Sequence, residues 1–386
     1  MRIRALDSIR GLLLLHMTLD HFGRPLSYYL YQCFGFFSAA EGFFFLSGFV
    51  GMLAATSKQA KDPSQIWMSR RAARIWVYHM VTLVVMAFSA KYFLHHIAKY
   101  FSMLYQHTSE AAVWSMLLIN TPEWLDVLPL YVVFLLIGSL VFPYFIRAKS
   151  RTDVVMFWFT SFAFWIAAQY GLREAINSNF PSWINHGFFD PFGWQFLYFT
   201  GAAVVAWYKK GPLTIPPKAK QRCKYLVPPA VGLFLIFCFL WSHQFIPIHL
   251  PNNMLIAKES VGPLRLVNFL AFVYIIYFVV KTWPNLLDFR PTTTIGQHSL
   301  DVYSLHIVLV YLWMSTPGSI RYSAPWNVIA PIAACFLLWV LAKARKNPHT
   351  GRETKKTKRI PRIERNTGKT TRVQRITTKT KKIPRI

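Results

Sequence analysis

Two side chains in the first apolar stretch, "LDSIRGLLLLHMTLDHFG" (residues 6–23), have the types and the spacing for chemistry: Arg10 and His21. Eleven helical steps return to within about 20° of the start, so the two share one face, about 16 Å apart along the axis. A guanidinium holds phosphate, and an imidazole takes and returns protons near neutral pH. On the same helical wheel Asp20 lies about 80° to one side and Asp7 about 60° to the other, where Asp7 can pair with Arg10 at i,i+3.

A second stretch, "SAAEGFFFLSGFVGM" (38–52), sets Glu41 among small residues that let helices approach closely. The short connection between the two stretches makes them antiparallel neighbours and brings Glu41 to a depth similar to that of His21. An imidazole beside a carboxylate is a general base with its orienter. Glu41 and Asp20 are the two candidates for that carboxylate, with Glu41 first because Asp20 adjoins His21 on the helix and points away from it. The competing reading is that both only satisfy interhelical hydrogen bonds. Ser47 beside Gly48 is either a nucleophile or, as small residues in apolar helices usually are, a packing device.

The third stretch begins "WMSRRAARIW" (67–76), where Arg70, Arg71 and Arg74 can project at least two guanidinium forks from one face toward a phosphate-rich ligand. Arginines at a cytoplasmic boundary also follow from topology alone. Further along, His306 has Asp301 and Tyr303 within two turns and is either part of an acceptor pocket or a satisfied interior histidine. The segment "NHGFFDPFGWQF" (185–196) offers Asp190, Trp194 and Gln195 as an aromatic platform with polar groups for a carbohydrate. Tryptophan at a membrane interface is also ordinary anchoring, and Asp126 is ambiguous in the same way. His95 and His96 lack a further ligand at a recognisable spacing, so no metal is assigned.

These residues need helices to hold them. Hydrophobic residues make up 54% of the 386, aromatics 17%, and apolar runs recur along the whole chain, which places it among polytopic membrane proteins. Windows of about 20 apolar residues predict an all-α protein of about ten transmembrane helices near 8–24, 34–56, 73–94, 125–145, 153–171, 192–208, 225–247, 264–281, 296–315 and 325–342. Alternate connections are rich in Lys and Arg, as in "KKGPLTIPPKAKQRCK" (209–224). The others hold only Arg24, Lys91, Lys99, Arg173, Lys258, Arg265 and Arg321. Basic residues stay on the cytoplasmic side, so both termini are expected there. Asp7 and Arg10 precede the first apolar run and His16, Asp20 and His21 interrupt it, which argues against a cleavable signal peptide. Four scattered cysteines form no disulfide frame.

Residues 1–342 are thus read as the transmembrane domain and 343–386 as a basic, disordered cytoplasmic tail, which carries most of the formal +28. The tail has no aromatic stacking platform, so no nucleic acid is expected. It is read first as a topology anchor and next as a contact with anionic lipid headgroups. The intramembrane His, Glu and Asp set also suits a proton-coupled transporter, although no repeat of broken helices is visible. A scaffold working through its tail is the non-catalytic reading.

In combination the motifs resemble a known family. An Arg followed eleven residues later by His, then "FFFLSGF", "RRxxR" and the late "IGQHSLDVYSLH" (295–306) are similar to the membrane-bound acyltransferase-3 superfamily. Within it, "LDSIRG", "MTLDHFG", "SAAEGFFFLSGF", "LDVLPLY" and "DPFGWQFLYFTG" resemble the OpgC branch, which succinylates osmoregulated periplasmic glucans. The likeness runs from about residue 3 to 342 and leaves the tail unexplained. It implies a multi-pass enzyme of the bacterial inner membrane, with cytoplasmic succinyl-CoA or acetyl-CoA as donor and no permanently bound cofactor. It also implies a periplasmic glucan or other glycan as acceptor, His21 as base, and Arg10, Arg71 and Arg74 on the coenzyme A phosphates.

Overall fold

The computed structural model describes residues 3–58, 62, 64–211, 216–248, 253–283 and 285–345. The expected tail beyond Arg345 lies outside them. No strand occurs among the described residues. We number the long helices and one short partner as α1 (Arg4–His21), α2 (Ala39–Lys58), α3 (Ile66–Tyr92), α4 (Val127–Arg147), α5 (Arg151–Gln169) and α6 (Pro191–Tyr208). They continue as α7 (Pro217–Ser242), α8 (Pro263–Thr282), α9 (Arg290–Gln297), α10 (Ser299–Ser315) and α11 (Trp326–Ala344).

Six stretches among the described residues are long and apolar enough to cross a membrane: α2, α3, α4, residues Gln221–Ser242 of α7, α8 and α11. A shorter apolar helix is α10. Each of the other expected windows also falls on a helix. Several boundaries need correction: the helix expected over 34–56 begins at Ala39, the one expected over 225–247 ends at Ser242, and the window 296–315 is not one helix, because the backbone leaves helical geometry at His298 and separates α9 from α10.

Helix ends follow local chemistry. At α5 a capping box joins Ser150 and Asp153, which satisfies two otherwise orphaned backbone donors. At α6, Pro191 occupies the first turn while the Asp190 carboxylate accepts from the Phe192 and Gly193 amides at 2.7 and 3.3 Å.

Two crossings hold the first helices. The α1 helix packs most closely on α9, where Gly296 lies so near the Asp7 carbonyl that a Cβ would overlap its oxygen. The α2 helix packs on α6, and a Cβ at Gly48 would meet the Tyr198 carbonyl in the same way. Gly48 therefore serves close packing, while its neighbour Ser47 lines a cavity with Arg10 and Arg71. An aromatic core of Phe44, Phe134, Trp194 and Tyr198 fills the space between α2, α4 and α6.

With α2, α9, α10 and α11 around it, α1 buries Asp7, Ser8, Arg10 and Thr18 against protein. The Ser8 and Thr292 hydroxyls meet at 2.6 Å. Ionisable residues in an apolar helix are tolerable when they face such a polar interior.

Candidate active site

Two cavities flank α1 toward opposite ends. The first is lined by Arg10, Arg71, Ser47, Tyr131, Ser299 and Tyr303, with Phe43, Ile75, Leu128 and Leu300. Arg10 lies 4.0 Å from the Asp7 carboxylate, and the Arg71 guanidinium stands over the Tyr131 ring at 5.6 Å. This arginine cavity gathers cations from α1 and α3. Arg70 and Arg74 are exposed and do not line it, so of the three arginines that open α3 one side chain joins Arg10.

The second cavity, of about 240 Å³, is lined by His16, Asp20, His21, Trp124, Asp126 and Lys258, with Ser38, Glu123, Phe188 and Tyr303 among the remaining wall residues. Tyr303 belongs to both walls, and its ring stacks on Phe43 at 6.2 Å. Tyr303 thus stands between the arginine cavity and the histidine cavity. The α1 helix runs unbroken from Arg4 to His21, so the rise of about 16 Å along the axis between the backbone positions of Arg10 and His21 holds.

Hydrogen bonds assign the protons on the histidines. The Thr18 hydroxyl donates its one proton to the Leu14 carbonyl at 2.8 Å. Toward His306 Nδ1, 3.0 Å away, it can then only accept, so that nitrogen carries a proton. A neutral His306 ring is bare at Nε2, and the 3.1 Å contact with His21 Nδ1 requires His21 to donate. The lone pair of His21 is thereby left on Nε2, which makes no hydrogen bond among the described residues. The two rings are stacked at 5.1 Å, and Trp124 packs edge-on to His21 at 4.9 Å. An imidazole fixed through Nδ1–H with a free Nε2 is the arrangement of a general base.

The carboxylate expected to orient His21 is elsewhere. Arg265 pairs with Glu41 Oε1, while the Ser38 amide and hydroxyl reach Oε2 at 2.9 and 2.7 Å. Both oxygens are thus engaged in a buried network joining α2 to α8, and His306 occupies the position at His21 that had been assigned to Glu41. Asp20 lines the histidine cavity without a hydrogen bond to His21. Asp126 also lines it, just before α4, and its carboxylate accepts from the Phe188 amide at 3.0 Å.

The expected carbohydrate platform is corrected as well. Trp194 is wholly buried, and its indole donates to the Lys258 and Glu259 carbonyls at 3.1 and 2.9 Å. Gln195 is buried on Ser161, and Asp190 caps α6. None of the three lines the histidine cavity. Asp301 accepts from Tyr78 at 2.8 Å and pairs with Arg345 at 3.0 Å, apart from His306.

Thr18, Trp124 and Lys258 were not singled out by sequence reasoning. Thr18 had a usable signal, since it lies three residues before His21 and so on a neighbouring face. Trp124 and Lys258 come from connections, where no periodicity marks them. Among the described residues no group of three His, Cys, Asp or Glu side chains could hold a metal ion.

A helical protein with apolar, membrane-length helices and a paired histidine beside a cavity defines the class. The chain belongs to the OpgC protein family, whose pattern it matches over residues 2–349. Family membership and the apolar helical fold together point to a membrane enzyme of glucan modification. No curated protein and no solved structure matches the chain.

Proposed function

We propose that the chain is an integral-membrane O-acyltransferase of the bacterial inner membrane, with ten spans and both termini cytoplasmic. It moves an acyl group, succinyl foremost and acetyl as the alternative, from cytoplasmic acyl-CoA to a hydroxyl of a periplasmic glucan. The observation that carries this reading is the proton-ordered chain from Thr18 through His306 to His21, which leaves His21 Nε2 free beside the cavity.

Arg10 and Arg71 would hold the coenzyme A phosphates, and the pantetheine arm would extend along α1, past Tyr303, toward His21. His21 Nε2 takes the proton of the sugar hydroxyl as its oxygen bonds to the thioester carbonyl carbon. The C–S bond then breaks, and the leaving sulfur takes the proton back from His21, which restores the base. General-base assistance of this kind is worth about 10²–10⁴-fold.

Coenzyme A release by the purified protein in liposomes, with a glucan acceptor and either donor, tests the reading. We expect release that depends on acceptor and disappears in His21→Ala. Wild-type release from a correctly inserted His21→Ala would sink the role of His21. Absence of release from either donor by the well-folded wild type would sink acyl transfer itself and favour proton-coupled transport.

A further inference from the structure

Among the described residues, the lysine that lines the histidine cavity is Lys258, on the connection before α8. Its ammonium lies over the rings of Tyr31 and Phe188, at 5.1 and 5.9 Å from their centroids. Among the described residues it makes no ion pair, although three carboxylates line the same cavity. Those carboxylates are otherwise disposed. Asp126 is buried and bonded to the Phe188 amide, Glu123 is exposed, and Asp20 and Asp126 feel the Lys258 charge through space without an ion-pair contact.

The segment that carries Lys258 is built in. The buried Trp194 indole holds the carbonyls of both Lys258 and Glu259, and the Asp190 amide donates to Glu259 at 2.9 Å. A half-buried ammonium held in place with no carboxylate in direct contact loses hydration that a ligand anion would restore, although Asp20 and Asp126 act on it through space. It faces the same cavity as the free Nε2 of His21, so the anion it would meet belongs to whatever reacts there.

We propose that Lys258 is the residue that selects the acyl group: its ammonium takes the terminal carboxylate of a dicarboxylic acyl donor while the thioester carbonyl lies at His21. This rests on the acyl-transfer reading and adds the substrate feature that the cavity recognises. A charge-assisted contact of this kind discriminates by about 10- to 100-fold, the equivalent of the usual strength of hydrogen bonds to charged groups.

The test compares succinyl-CoA with butyryl-CoA, which has the same chain length and no carboxylate, using the purified full-length protein in liposomes with a glucan acceptor. We expect the wild type to prefer succinyl-CoA in kcat/KM. In Lys258→Met that preference should fall by about 10- to 100-fold, chiefly through the succinyl-CoA KM, and Lys258→Arg should keep most of it. An equal loss with both donors, or a preference unchanged in Lys258→Met, overturns the assignment while leaving acyl transfer standing. A wild-type preference below about threefold overturns it without any variant, which keeps the test decisive should Lys258→Met fail to fold. No transfer from either donor by the folded wild type overturns the acyl-transfer reading and this assignment with it.

Discussion

The arginine cavity and the histidine cavity share Tyr303 but are built by different rules. At the arginine cavity Arg10 and Arg71 come from helix positions that spacing alone had marked, with the Asp7 carboxylate 4.0 Å from the one and the Tyr131 ring beneath the other. At the histidine cavity His21 is held by a hydrogen-bonded chain whose next members are a histidine from α10 and a threonine from its own helix. Binding a phosphate tolerates adaptable cations, whereas directing a proton needs one fixed tautomer. The difference suggests that one cavity provides affinity and the other provides rate.

The largest expected effect lies in the histidine cavity. His21→Ala should lower kcat by about 10²–10⁴-fold with little change in the acyl-CoA KM, as read by steady-state coenzyme A release. A rise in KM with kcat unchanged would reverse the division between the cavities. Next comes His306, a positioning residue. His306→Ala should lower kcat by roughly 10²-fold, and the double variant with His21→Ala should be no worse than His21→Ala alone. Additive losses would show that the two rings act independently.

A smaller effect is expected across Tyr303. Arg71→Gln should raise the acyl-CoA KM by about tenfold while kcat stays near wild type, and the change should shrink at high salt. A change in kcat alone would remove Arg71 from donor binding. The smallest effect concerns a residue the structure assigns to neither cavity. Asp190→Ala should cost about 1 kcal/mol of stability through loss of the α6 cap, seen as a lower melting temperature, with the acceptor KM unchanged. A raised acceptor KM at full stability would restore Asp190 to the carbohydrate site.

Part of this site was legible before any fold was known. The Arg10 to His21 register is a property of one helix, and the helix formed as its apolar pattern required. The pairing of His21 was not legible, because its partner is 285 positions away and any of several interior polar residues could have met it. Glu41 was a sound choice by depth, but Arg265, read only as an outer basic residue, takes its carboxylate. Trp194 illustrates the same limit. An aromatic residue in a polar loop motif can face a sugar or a core, and here two carbonyls of the Lys258 segment decide for the core.

By itself the sequence determined where most of the long helices form and which residues share a face on each, whereas of the ten expected spans six stretches among the described residues are long and apolar enough to cross a membrane. Those follow from hydrophobic pattern and from a repeat of about 3.6 residues per turn, both local. Only the tertiary structure decided that His21 meets His306, that Glu41 meets Arg265, and that Lys258 enters the histidine cavity. The relative rotation and height of two helices depend on contacts between distant residues, such as the close approach at Gly296 and the buried ion pair from α2 to α8, and no local repeat encodes them.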